Sequence, residues 1–281
     1  MLVLGIDTAT STGSVGVLEV VASGRAAEVG DAAAPQTLLR AELSRPSGMA
    51  HGAELLPMVA ECLAEARVEV AQLDGVAVSI GPGSFTGLRV GLATAKGLVF
   101  GSSASLVGVP TLEALAEAVV RRGAAAGAWP VASPDPPLIC ACLDARKGEV
   151  YAALFAAVAA PANQLDAAVQ RLDEDRAEPV EALLGQIEHE LAARRSTATA
   201  EVLFVGDGAE RYRVAVEQRL GARAAILSSA DVHPRGGVVA QLGAARLLAG
   251  RADDIAALAP RYARLSEAEK VRASRSGQAA R

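Results

Sequence analysis

The chain has 281 residues and a formal net charge of −5. That length can bury two lobes, and that charge provides no global basic field for nucleic acid. Cys62, Cys140 and Cys142 form an odd set without a CxxC pair, and neither a leader nor an apolar run of membrane-spanning length is read, which predicts a reducing cytoplasm and no membrane partner.

Leu2 to Ile6 reads as a short buried strand, and Ser14 to Val20 as its hairpin partner across the hydroxyl-rich turn Thr8 to Gly13. A weak third strand is expected near Ala26 to Ala34, inside a loop spanning 21–48. A helix follows over 53–66. Its Leu55, Val59, Cys62 and Ala66 make one apolar stripe with Leu56, Ala60 and Leu63 beside it, while Glu54, Glu61 and Glu65 face elsewhere. Pro57 is tolerable there only near the first turn. Strand Val76 to Ile80 runs into the turn Gly81-Pro82-Gly83 and a helix over 86–100, along which Gly83, Gly87, Gly91 and Ala95 recur every fourth residue. Each helical glycine costs about 1 kcal/mol relative to alanine, so the stripe predicts close backbone approach by a neighbouring helix. Strand Leu106 to Val109 and a helix opening near Thr111 complete a first lobe over 1–111.

The order then repeats. Leu138 to Leu143, Asp144, a turn closed by Gly148, and Glu149 to Phe155 mirror the first hairpin with its Asp7. Val202 to Val205 followed by Gly206-Asp207-Gly208 mirrors Val76 to Ile80 followed by Gly81-Pro82-Gly83. A helix over Val180 to Arg194, a strand Ala224 to Leu227 and a helix over 235–250, packing back onto the first lobe, complete the pattern. The expected fold is α/β, two similar lobes of mixed β-sheets flanked by helices, with the second lobe at 112–233. Actin-like ATPases and sugar kinases use this two-lobed architecture with a cleft. Segments 121–137 and 266–281 lack apolar periodicity and are expected to be loop and disordered tail.

His51, His189 and His233 lie far apart without an HExxH pattern, and no GxSxG elbow is present, so neither a metal set nor a catalytic residue is assigned. Two readings stay open for the glycine-rich turn. Gly83, the Ser84 cap and the helix start form a competent phosphate site, or the glycines serve a tight turn and close helix packing. Asp7 likewise either holds Mg²⁺ through water beside Thr8 and its neighbouring hydroxyls, or is a turn-forming Asp. Asp7, Thr8, Gly83, Ser84, Gly206 and Gly208 are the candidate nucleotide or phosphate contacts. A self-sufficient ATPase or small-molecule kinase is the alternative function they support.

Leu4-Gly5-Ile6-Asp7-Thr8-Ala9-Thr10, Leu56-Pro57-Met58-Val59, the run Gly81-Pro82-Gly83-Ser84-Phe85-Thr86-Gly87-Leu88-Arg89-Val90-Gly91, Leu143 to Tyr151 and Val205-Gly206-Asp207-Gly208 resemble, in order, the bacterial TsaB (formerly YeaZ) family. The resemblance covers most of 1–265, and the glycine-rich run is its specific part. It implies an actin-like ATPase, ribonuclease H-like (ASKHA) fold. It further implies a non-catalytic scaffold and activating subunit of the complex that makes N6-threonylcarbamoyladenosine in tRNA. The implied partners are a paralogous catalytic subunit, TsaD, and an ATPase, TsaE, with a homodimer when the chain is alone and tRNA met only via the complex. No intrinsic cofactor is implied, ATP or ADP entering in the assembled complex. Carried over by position, the partner interface is Leu55, Leu56, Val59 and Leu63 on one helix and Gly87, Leu88, Gly91, Leu92 and Ala95 on the other, in a four-helix bundle. The chain departs from the family at His51-Gly52-Ala53, where a hydroxyl residue is expected after the His.

Overall fold

A computed structural model describes residues 1–21, 35–46, 51–125, 137–158, 165, 168–194, 201–229 and 232–263. The first lobe runs β1 (Leu2–Asp7), β2 (Thr12–Val21), β3 (Gln36–Pro46), α1 (His51–Ala66), β4 (Gly75–Gly81), α2 (Phe85–Val99), β5 (Ser105–Pro110) and α3 (Thr111–Ala125). β1 is buried from Val3 to Asp7, so its apolar run makes a central strand covered on both faces. The sheet order is β3-β2-β1-β4-β5, with the β1–β2 and β2–β3 pairs antiparallel and β4 and β5 joined in parallel.

The second lobe runs β6 (Leu138–Arg146), β7 (Glu149–Ala157), β8 (Val169–Arg171), β9 (Arg176–Pro179), α4 (Val180–Ala193), β10 (Val202–Val205), α5 (Asp207–Arg211), α6 (Arg213–Leu220), β11 (Ala224–Ile226) and α7 (Gly236–Leu248). Its order is β11-β10-β6-β7-β8, with β9 also pairing β7. Each sheet is thus an antiparallel hairpin extended by two parallel strands on one side. That is the two-lobed actin-like, ribonuclease H-like arrangement.

The helix closing the second lobe lies on the sheet of the first. Val239, Ala240 and Ala244 of α7 pack against Val3, Leu18, Ala77 and Val107. The approach is close enough that a Cβ at Gly16 would stand 2.8 Å from the Gly236 carbonyl carbon. α3 divides itself between the lobes, sending Leu112, Leu115 and Val119 into the second core and Ala114 and Ala118 toward α7. Arg246 of α7 holds Glu113 of α3 at 3.0 Å and fixes the two helices together.

Four expectations need correction. The segment read as loop 21–48 contains β3, an edge strand whose exposed outer residues blur the alternation that would betray it. The expected strand at Ala26 to Ala34 lies outside the described residues, as does the tail 266–281. α3 continues through Arg121, where a loop was expected to begin, because Arg121 is buried in an ion pair with Glu117 at 2.9 Å, while 126–136 lie outside the described residues. α1 starts at His51, so exposed Pro57 falls in its second turn and not its first. Beyond α7, residues to which the sequence assigns no element form a strap. Asp253 accepts from the Gly108 amide at 2.8 Å and the Arg261 amide donates to the Ile80 carbonyl at 2.6 Å, which ties the chain across the ends of β4 and β5. Among the described residues no helix is long and apolar enough to cross a membrane.

Candidate functional site

The turn from β4 into α2 rests on β1. Gly81 has φ of 118°, a conformation that favours glycine, and the Ser84 amide donates to the Ala9 carbonyl at 2.7 Å. Ser84 then caps α2, its hydroxyl accepting from the Gly87 amide at 3.2 Å. One turn on, the Thr8 hydroxyl donates to the Gly87 carbonyl at 2.7 Å, so α2 leans on the end of β1. A Cβ at Gly87 would lie 3.1 Å from the Thr8 carbonyl carbon and closer still to its oxygen, and one at Gly91 would strike the Thr8 hydroxyl.

The small-residue stripe therefore faces its own lobe. Gly87, Leu88, Gly91, Leu92 and Ala95 are buried against β1 and β4, and Leu55, Val59 and Leu63 of α1 are buried in the same core. They hold the monomer together and present no surface to another chain. Only Leu56 of the carried-over set is exposed, at 57 %. Four-residue spacing of small side chains reveals that something passes close by. It does not reveal that the neighbour is a strand of the same lobe.

The outward surface of the two helices is built from other residues. On α1 the exposed positions Ala53, Leu56, Ala60 and Ala64 recur at helical spacing, as do Ala93 and Gly97 on α2, and Phe100, the residue capping the end of α2, is 82 % exposed. A Cβ at Gly97 would meet nothing within 4 Å among the described residues. A glycine in a helix interior with open space around it has no internal packing reason to be there. The acidic side of α1 turns the other way, with Glu61 held by Arg45 of β3 at 2.6 Å. The result is an apolar, low-relief face spread over two adjacent helices.

Between the lobes lies a cleft of about 400 Å³, lined among others by Thr10, Ser11, Gly83, Ser84, Asp144, Arg146, Tyr151 and Asp207. A second cavity beside it includes Gly206 and His233. Gly83, Ser84 and Gly206 thus reach the interlobe space, while Asp7, Thr8 and Gly208 do not. Gly208 is a packing glycine, since a Cβ there would come within 2.6 Å of the Leu143 carbonyl carbon. Asp207 accepts from the Asp144 amide at 3.0 Å, and burial, then the neighbouring Asp144 charge, raise its carboxyl above the ordinary value. Tyr151 and Arg146 line the cleft although the sequence marks them only as parts of a longer motif. Among the described residues no three His, Cys, Asp or Glu side chains gather as a metal set.

Asp7 is wholly buried beside Ser79, and neither of its oxygens has a hydrogen-bond partner of normal geometry among the described residues. Burial pushes its carboxyl from 3.8 up to about 7, against smaller lowering by the Ser79 hydroxyl and the Ala9 amide. The folded value exceeds the unfolded one, so neutral Asp7 contributes fully below pH 3.8, and that contribution is lost as pH rises to about 7. Asp7→Asn should remove this dependence and leave the variant more stable at pH 8 by up to about 4 kcal/mol. Urea midpoints of both proteins between pH 4 and 8 check it; parallel curves would refute the assignment.

A family model described as TsaD, tRNA N6-adenosine threonylcarbamoyltransferase, matches residues 45–271. The chain is similar to the tRNA threonylcarbamoyladenosine biosynthesis protein TsaB of Escherichia coli, 35% identical over 101 residues, which are 36% of this chain and 39% of that protein. The match thus spans about two-fifths of that relative's length. TsaB of Bacillus subtilis is 27% identical over 219 residues, 78% of this chain and 82% of that protein. Among solved structures, YeaZ from Pseudomonas aeruginosa superposes with a TM-score of 0.63 at 21% identity, over 93% of this chain and 99% of that one. At that identity the likeness is one of fold.

Proposed function

This chain belongs to the tRNA N6-adenosine threonylcarbamoyltransferase family, in its TsaB (YeaZ) branch, and on that premise we propose that it serves threonylcarbamoyladenosine synthesis in tRNA as a scaffold and activating subunit, not as the catalyst. The observation that carries the reading is the contrast between its two surfaces. The hairpin carboxylate Asp7 is sealed inside the first lobe and the Thr8 hydroxyl is engaged by the Gly87 carbonyl, so neither is offered to a ligand in the cleft. The exposed α1/α2 face, by contrast, is apolar and has no partner among the described residues.

A paralogous subunit with two such helices fits that face, because shallow small-residue surfaces let helices approach to about 8 Å in a four-helix bundle. The occupant is the catalytic subunit TsaD, with a second copy of this chain taking its place when the chain is alone. The ATPase TsaE joins that pair. The assembly is where ATP or ADP would enter, and tRNA is met only through it.

Reconstitution tests this. Transfer of the threonylcarbamoyl group to tRNA should require the catalytic subunit, fall when this chain is omitted, and be absent with this chain alone. Steady ATP turnover by the isolated chain, lost in Asp7→Ala, would favour the self-sufficient kinase instead.

A further inference from the structure

Phe85, Arg89 and Tyr262 form a cluster at the first turns of α2; Phe85 also lines the interlobe cleft, and the apolar face provides the cluster no use. The Arg89 guanidinium carbon lies 3.8 Å from the Phe85 ring centroid, Arg89 Nε donates to the Tyr262 hydroxyl at 2.9 Å, and the two ring centroids are 5.1 Å apart. Both rings keep substantial exposure, 44% for Phe85 and 38% for Tyr262. Elsewhere Arg45, Arg121, Arg223 and Arg246 each hold a carboxylate, but Arg89 pairs with none among the described residues. A guanidinium fixed by a stack and by its Nε, in a chain with an excess of acids, has its two terminal nitrogens left for an outside anion.

We propose that this cluster is an RNA contact of the assembled complex, Arg89 taking a backbone phosphate while an exposed face of Phe85 or Tyr262 stacks on an adjacent base. The inference rests on the scaffold reading above. A planar fork matches phosphate with two parallel hydrogen bonds, and an aromatic face beside it is what unpaired nucleotides require. The sequence just beyond Tyr262 agrees in sign: Arg264, Lys270, Arg272, Arg275 and Arg281 outnumber Glu267 and Glu269 in a chain of net charge −5. A carboxylate on a protein partner would engage the guanidinium but give the two exposed rings nothing to stack on. Arg89 also precedes Ala93 by one turn of α2, so RNA held there lies alongside a subunit docked on the apolar face.

The test uses the full chain assembled with its catalytic and ATPase partners, with labelled tRNA followed by anisotropy over a range of salt, and size exclusion run in parallel. Arg89→Gln should leave the assembly intact, weaken tRNA binding roughly tenfold and lower the slope of log Kd against log salt by about one. Arg89→Lys should recover the slope and only part of the affinity, because the charge returns without the plane. Unchanged affinity and slope in an intact Arg89→Gln assembly would overturn the RNA contact alone. Dissociation of the assembly by Arg89→Gln would overturn it too, in favour of a partner carboxylate. Failure of the unaltered chain to co-elute with its partners would sink the scaffold reading and this inference with it.

Discussion

Gly87→Ala is expected to destabilise the protein by about 3 kcal/mol, while the chemically identical change Gly97→Ala on the same helix stabilises it by up to about 1 kcal/mol. Both positions are helical, so both gain the same propensity from a methyl group. What differs is the space. The Gly87 methyl would press on the Thr8 carbonyl, a backbone group that can yield only if β1 or α2 moves, and the hydroxyl of the same residue is bonded to the Gly87 carbonyl. The Gly97 methyl meets nothing within 4 Å among the described residues. Urea unfolding with unchanged m values reads both effects as opposite shifts in midpoint. A Gly87→Ala midpoint equal to that of the unaltered protein would mean that α2 does not sit on β1 as described.

Why the sequence reads the glycine spacing correctly and its direction wrongly follows from the same contact. Period-four small residues state that one helix face is thin, which is a property of the helix alone. The identity of the neighbour depends on where β1 ends, and the Thr8 that fills the groove lies 79 positions upstream, beyond any periodic signal. The central strands were legible for the opposite reason. Leu2–Asp7 and Gly75–Gly81 are covered on both faces, so burial imposes apolar residues at nearly every position. The edge strand Gln36–Pro46 has no such constraint on its outer side, and its ten-position pairing with β2 is interrupted by an irregularity between Val17 and Leu18.

The cleft shows a similar division. Asp7 stood out as a lone acid after a buried strand, and it is chemically unusual, but through burial and not through access to a ligand. Asp144 and Asp207 were visible as members of paired turns, and the fold does bring them together across β6 and α5. Tyr262 was not visible at all. A single aromatic in an irregular segment has no period to mark it, and its partners Phe85 and Arg89 are met only because the strap returns across α2.

Leu56→Glu combined with Ala93→Glu is expected to weaken association with the catalytic subunit by a hundredfold or more, about 3 kcal/mol, with the isolated chain as stable as before to within about 0.5 kcal/mol. Both side chains are exposed, so charging them disturbs no core, yet in a helix-to-helix interface each carboxylate would be desolvated without a partner. Gly97→Leu should act in the same direction by bulk, filling the open ground that a partner helix would otherwise enter. Phe100→Ala removes the most exposed large apolar side chain among the described residues and should weaken binding by taking away the anchor at the end of that face. Gly91 and Ala95 are unsuitable for this purpose. A bulky residue at either would also abolish association, but by disrupting the first lobe, so complex loss there carries no information about the interface. The decisive measurement pairs sedimentation of the mixed subunits with the unfolding midpoint of the altered chain. Full affinity in the doubly charged variant would place the partner elsewhere, whereas lost affinity at an unchanged midpoint assigns it to the outward face of α1 and α2.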